Sequence, residues 1–418
     1  MRSAVIAAGI VLFSAVRAGA EEPKVHVLTL AQAVERVRSA GFDVRMANAD
    51  ARLAAADAAA AVAVLRPQAG ISGNVLDANE PQLGMPVARQ AYAAVALAIP
   101  LSTSAGALAA RAANQTARSA QTAVFATAND AVFATVQAYR KVQLADAVVV
   151  ARQAAVADQT MHVRVTEQRI AAGKAAQYLA LRDRAALASA QQAQEDAASE
   201  RDQAAYDLAA LLDTADPLVV EPLVLATASD TRDAAIARAL RQRPSLLAAE
   251  QRLTAAQTGI AAARSAYRPA AMLTAQSYNG GSSPSLGRSG GQLQLTASLP
   301  IVDGGSRTAA VARAQAQYDR AAAARDQARA AALRDVAVAW REYEAATRNL
   351  ATVTAIQADA REQLRLVRLR EAAGKAIEVE VLDALSVAAN ARETVVRSVA
   401  RYDVAIAAIH HAAGDLTP

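Results

Sequence analysis

The chain has 418 residues, no cysteine, 44 Lys and Arg against 39 Asp and Glu, and a formal net charge of +5. Without cysteine there are no disulfides, no thiolate metal sites, no nucleophilic thiol and no lipid-bearing cysteine behind a leader; the interspersed charges form no basic patch, which argues against a nucleic-acid partner. The hydrophobic fraction of 54% with aromatics at only 3% is carried largely by alanine, which favours long, closely approaching helices over a core of large side chains.

Residues 1–20 read as a signal peptide. Arg2 precedes an apolar run from Ala4 to Val16, and Ala18-Gly19-Ala20 is a small-x-small cleavage signal before Glu21-Glu22-Pro23. The run falls short of the about 20 apolar residues of a bilayer-spanning helix. Beyond it, charged or amide residues interrupt every apolar stretch, so no transmembrane helix is expected. A closed β-barrel remains open, because its short alternating strands escape hydropathy.

The rest divides into two structural repeats, 21–213 and 230–418, joined by an irregular linker at 214–229 that contains Pro217 and Pro222. Arg66-Pro67 recurs as Arg268-Pro269, Ile99-Pro100-Leu101 as Leu299-Pro300-Ile301, Ala138-Tyr139-Arg140 as Ala339-Trp340-Arg341, and Ala171-Ala172-Gly173-Lys174 as Ala372-Ala373-Gly374-Lys375. Four landmarks in one order at a spacing of about 200 residues mark a duplication.

In each repeat the expected order is helix, strand pair, long helix, turn, long helix. The first helix runs from Leu30, capped by Thr29, to Arg66 before Pro67; its counterpart begins near Ser229 to Thr231 and ends before Pro269. A strand pair follows at about 68–101, and again at about 270–301. Gln292 to Leu299 alternates polar and apolar, sending Leu293, Leu295 and Leu299 to one face. That suits a barrel strand between lipid and a wet lumen, although a single such strand, taken alone, favours a half-buried strand in a soluble sheet. The turn-rich segments Asp77 to Gln90 and Asn279 to Gly290 are expected as hairpin loops.

Ser102 to Ile170 and Arg307 to Arg370 are proline-free helix formers, each long enough at 1.5 Å per residue to reach about 100 Å. Phe125, Val132 and Tyr139 recur every seven residues, as in a coiled-coil seam, and Val336, Trp340, Tyr343 and Leu350 follow similar spacings. Each long helix should stop at Gly173 or Gly374, where glycine fits a left-handed cap, and a second helix should run back toward Leu212 or Ala412. Four strands in one chain cannot close a membrane barrel, and open edges are not tolerated in lipid, so several chains must share one; a cyclic trimer supplies about 12 strands.

These features together resemble the TolC-like outer-membrane efflux proteins over nearly the whole chain after the leader. The resemblance rests on Leu30-Ala31-Gln32-Ala33-Val34, the Arg66-Pro67 break, Leu299-Pro300-Ile301-Val302-Asp303-Gly304-Gly305, and Gly374 followed by Val379-Glu380-Val381-Leu382-Asp383-Ala384. It implies a mixed fold, mostly α. Long antiparallel helical hairpins would form a periplasmic tube, and four β-strands per chain would contribute to a trimeric 12-stranded transmembrane β-barrel in outer-membrane lipid. The function it implies is the passive, gated exit duct of a tripartite efflux or type I secretion system. The implied partners are a periplasmic adaptor (membrane fusion) protein and an inner-membrane transporter.

By the same resemblance Glu380 and Asp383 line the pore gate, and the hairpin tips Gly173, Lys174, Gly374 and Lys375 dock the adaptor. From spacing alone, Glu380 and Asp383 read as solvated helix residues, and the glycines as helix caps with solvated lysines. The chain departs from the family at the first tip, where Gln177 to Asp183 has no acid matching Glu380. No cofactor is implied. No HExxH or GK[ST] phosphate loop is present, so no enzyme is expected. The histidines are scattered and no metal site is expected; His410-His411 reads as a polar helix end. The alternative reading is a periplasmic coiled-coil adaptor or scaffold, which would leave the strands unexplained.

Overall fold

The computed structural model describes residues 27–77, 89–101, 104–215, 218–224, 231–282 and 285–415. The expected signal peptide and most of the Asp77 to Gln90 loop lie outside them. In chain order the elements are β1 (Val27–Leu28), α1 (Leu30–Ala40), α2 (Phe42–Ala63), β2 (Gln68–Asp77), β3 (Arg89–Pro100), α3 (Ser104–Ala171) and α4 (Gln177–Leu211). There follow β4 (Val219–Val220), α5 (Arg232–Gln242), α6 (Pro244–Ser265), β5 (Ala270–Ser282), β6 (Ser285–Ser298), α7 (Ser306–Ala372) and α8 (Glu378–Ala413).

The first helix of each repeat is not continuous, contrary to the expectation from the sequence. Thr29 does cap α1: its hydroxyl accepts from the Gln32 amide at 3.2 Å while the Gln32 side chain accepts from the Thr29 amide at 3.1 Å. At Gly41 the backbone turns extended, and a Cβ there would sit 2.6 Å from the Val37 carbonyl oxygen, so the break requires glycine. In the second repeat Arg243 is extended because Pro244 follows and opens α6 at its first turn. The two repeats thus break at matching places by different chemistry.

The helices α3 and α7 run for 68 and 67 residues, each about 100 Å long. Each folds back through a short turn, α3 onto α4 and α7 onto α8, while α3 also packs on α2, α6 and α8. The heptad reading holds in part: Val132 and Tyr139 are buried, whereas Phe125 is 66% exposed, as expected where a straight helix drifts off a seven-residue repeat.

Two apolar clusters mark the middle of the molecule. Tyr139 sits with Ala33, Val37, Leu208 and Val220 in one; Val336 sits with Ala235, Ala239 and Ile409 in the other, with Trp340 and Tyr343 against it. The Tyr139 hydroxyl donates to the Leu28 carbonyl at 2.9 Å and accepts from the Glu221 amide at 3.2 Å. It thereby holds β1 and β4, which pair in parallel, so part of the expected irregular linker is a strand.

The strands β2, β3, β5 and β6 form one antiparallel sheet in the order β2-β3-β5-β6. Much of the segment Asn279 to Gly290, expected as a loop, is strand: Asn279 pairs with Ser289 and Gly280 with Arg288, with an irregularity between Gly280 and Ser282. Glycine and serine have weak strand preference, but an antiparallel ladder needs only backbone groups and extends past the residues that favour it.

Cross-strand pairing puts Ile71 opposite Val95, Leu97 opposite Ala275, Ile99 opposite Leu273 and Leu273 opposite Leu295. Paired residues share a face. One face is therefore apolar across all four strands, and the other carries Ser72, Thr274, Gln276, Gln292, Gln294 and Thr296. On the apolar face Ile71 is 82% exposed and Leu293 73%. Among the described residues no helix is long and apolar enough to cross a membrane, which says nothing of a barrel.

Candidate gate and docking tips

The two hairpin tips have the same backbone. Gly173 and Gly374 are left-handed, with φ of 71° and 67°. The Gly173 amide donates to the Ile170 carbonyl and the Lys174 amide to Arg169; Gly374 donates to Glu371 and Lys375 to Arg370. These two bonds form the Schellman cap, which satisfies carbonyls the helix end leaves open. The tip lysines, Lys174 and Lys375, are exposed, as are Tyr178, Leu181, Ile377 and Val379 beside them.

On the second tip, Glu380 lies in the first turn of α8. Arg370, in the last turn of α7, reaches it across the turn with Nη1 3.3 Å from the carboxylate Oε2, and its Nη2 donates to the Lys375 carbonyl at 3.2 Å. Asp383 follows three residues later on the same face of α8, exposed. The structure therefore places both candidate gate residues on one face beside the Gly374 tip. At the first tip the matching residues are Leu179 and Arg182, and the neighbouring acid, Asp183, is fully buried.

Behind the tips the two hairpins meet in a buried polar cluster that sequence reasoning missed. His162 of α3 contacts Glu378 of α8 through Nε2. Its Nδ1 is 3.4 Å from Glu371 of α7, and its Nε2 is 3.6 Å from Asp183 of α4. Burial pushes the His162 imidazole down, but the neighbouring carboxylates of Glu371, Glu378 and Asp183 outweigh it and hold it above its ordinary value. Burial and the neighbouring Asp183 carboxylate hold Glu378 above the usual carboxylate range, against the pull of His162. One signal in the sequence was available: His162 continues the heptad of Val148 and Ala155, all buried, so helical spacing alone put an imidazole inside. Its partners, up to 216 residues away, could not be read from spacing.

One helical turn before His162, Asp158 accepts from Arg368 of α7 and Arg392 of α8, both at 2.8 Å. Burial pushes this carboxyl up, but the two guanidinium groups prevail and hold it below the usual carboxylate range. The histidines at the other end of the chain turn to different partners. His411 stacks on Phe133 with ring centroids 4.5 Å apart and reaches Asp130 at 2.7 Å, and His410 faces Asp415.

Residues 235–415 match the family described as outer membrane efflux protein. Over 149 residues the chain is 32% identical to the outer membrane protein OprJ of Pseudomonas aeruginosa; that stretch is 35% of this chain and spans only 31% of OprJ. In three dimensions the chain is similar to a membrane protein from Pseudomonas aeruginosa, with a TM-score of 0.82 at 23% identity, covering 92% of this chain and 90% of that one. It is also similar to CusC, described in connection with folding and transmembrane channel formation, with a TM-score of 0.81 at 20% identity and 92% of both chains covered. At these identities the structural likeness establishes the fold, which extends over both repeats.

Proposed function

We propose, from the match of residues 235–415 to the outer membrane efflux protein family, that three copies of this chain form a passive, gated exit duct through the outer membrane. The observation that carries the reading is the four-stranded sheet, apolar on one face from β2 to β6 and polar on the other, with β2 and β6 as its edges. A sheet edge cannot stand open in lipid, because its amides and carbonyls would lack partners. Three sheets joined edge to edge give about 12 strands, enough for a water-filled lumen, since eight already fill with side chains.

The helical hairpins then continue the barrel as a tube of about 100 Å, consistent with a span of the periplasm. Glu380 and Asp383 would form a ring of carboxylates around its inner end, favouring cations as charged rings do in other pores. The tips at Gly173, Lys174, Gly374 and Lys375, flanked by exposed Tyr178, Leu181 and Ile377, would meet a periplasmic adaptor bound to an inner-membrane transporter. Selection of cargo lies with that transporter.

Expression of the full-length chain, separation of the membranes, and light scattering on the detergent-extracted particle test this. Three chains per particle in the outer-membrane fraction is the expected result. A periplasmic monomer or dimer free of detergent would overturn it in favour of a coiled-coil adaptor or scaffold.

A further inference from the structure

We propose that His162, Glu371 and Glu378 form a resident site for a divalent cation of the zinc class, which fastens the first helical hairpin to the second just behind their tips. One ring nitrogen and one oxygen from each carboxylate lie within 4.8 Å of one another. They come from three helices: His162 from α3, Glu371 from the last turn of α7 and Glu378 from the start of α8. A mixed nitrogen and oxygen donor set suits zinc and its neighbours, whereas calcium and magnesium take all-oxygen shells. Nothing in this requires that the chain assemble as a channel.

The second observation is a buried carboxylate without a hydrogen-bond partner. Asp183 is 0% exposed, and neither of its oxygens accepts a hydrogen bond, although one lies 3.6 Å from the His162 ring. The Glu371 Oε1 is likewise buried without a hydrogen bond. A buried carboxylate left in this condition is costly. Around the imidazole stand three carboxylates, Asp183, Glu371 and Glu378, and one guanidinium, Arg169, whose Nη1 is 3.8 Å from Glu371.

An ion has a way in. His162 and Glu371 line a cleft of about 720 Å³ that also touches Asp158, Lys174, Arg368 and Gly374. The cation would be a structural clasp and not cargo, because its ligands lie between the hairpins of one chain.

The test uses the full-length protein in detergent, stripped with a chelator and then titrated with zinc chloride by calorimetry and with cobalt chloride by visible absorption. Expected are one ion per chain and cobalt bands that mark nitrogen and oxygen coordination. E371Q and E378Q should each weaken binding about tenfold or more, D183N should weaken it about tenfold, and H162Q should remove the cobalt bands. Circular dichroism on each variant checks that it folds, and E371Q, at the helix end, keeps the test open if H162Q does not. No binding by the folded wild-type protein, or affinity that all four substitutions leave unchanged, would overturn the assignment.

Discussion

Arg370 and Glu380 face each other across the Gly374 turn, with guanidinium and carboxylate 3.3 Å apart, so the two helices that make the second tip are tied by one charge pair. Both side chains remain partly exposed, at 53% and 37%, and such a pair contributes little to stability. Its consequence is for the charge of the entrance. Replacing Glu380 and Asp383 together with alanine should raise single-channel conductance in planar bilayers and weaken block by multivalent cations. Arg370→Ala should act the other way, strengthening that block while leaving the unfolding midpoint nearly unchanged. Unaltered block in both variants would remove these residues from the gate.

The tip glycines should be intolerant for backbone reasons alone. A Cβ at Gly374 meets nothing within 4 Å, but φ is 67°, a conformation that costs other residues about 1–2 kcal/mol. Gly374→Ala and Gly173→Ala should therefore speed hydrogen exchange at their own tips and leave the strands unaffected. Equal exchange at both tips in the variants and the wild type would contradict the strain.

Asp158 should make the junction of the hairpins acid-sensitive. Its carboxyl is held low in the folded chain, so the folded state binds fewer protons there than the unfolded one. The stabilisation is complete above the unfolded value near about 4 and is lost as the pH falls through the lower folded value. Asp158→Asn should lower stability by about 1–2 kcal/mol at neutral pH, and the difference from the wild type should shrink as the pH drops below about 4. Thermal unfolding across that range is the measurement; a constant difference would argue against the pairing.

The two faces of the sheet should respond oppositely to one added charge. Leu295 and Gln294 are adjacent on β6 and point to opposite faces. Leu295→Lys should cost about 2–4 kcal/mol near the middle of a bilayer and deplete the assembled species on unheated gels, whereas Gln294→Lys should assemble normally. Normal assembly of both would mean that the apolar face does not meet lipid.

Tyr139→Phe tests the middle of the molecule. The phenol joins Leu28 and Glu221, and its loss leaves a carbonyl and an amide without their partner. A loss of about 1–3 kcal/mol in denaturant unfolding is expected, with assembly preserved.

Local periodicity was enough for the long elements. Uninterrupted helix formers between Pro100 and Gly173, and between Pro300 and Gly374, leave no choice but one long helix each, and Gly173 and Gly374 stop them as left-handed caps. The Gly41 break was not legible, because whether glycine interrupts a helix depends on the approach of a neighbouring carbonyl. The Pro244 break is legible, because a proline opens a helix at its first turn and holds the residue before it extended. The strand character of Asn279 to Gly290 was hidden by residues that usually make turns, since a ladder is stabilised by its partner strand and not by its own side chains. Glu380 and Asp383 follow from a resemblance that depends on their place after Gly374, and in the fold they lie beside that tip.

What the sequence determined by itself is whatever repeats along the chain: the duplication, the helix lengths, the caps, and the alternation that separates Leu293 and Leu295 from Gln292 and Gln294. Tertiary structure alone decided which distant residues meet. Asp158 could not be matched to Arg368 and Arg392, nor His162 to Asp183, Glu371 and Glu378, until the two hairpins were packed side by side. Helical spacing states which face a residue occupies; it carries no information about the register between helices separated by some two hundred residues of chain. That register is set by packing, and at the tips it converts four unremarkable polar residues into one buried cluster.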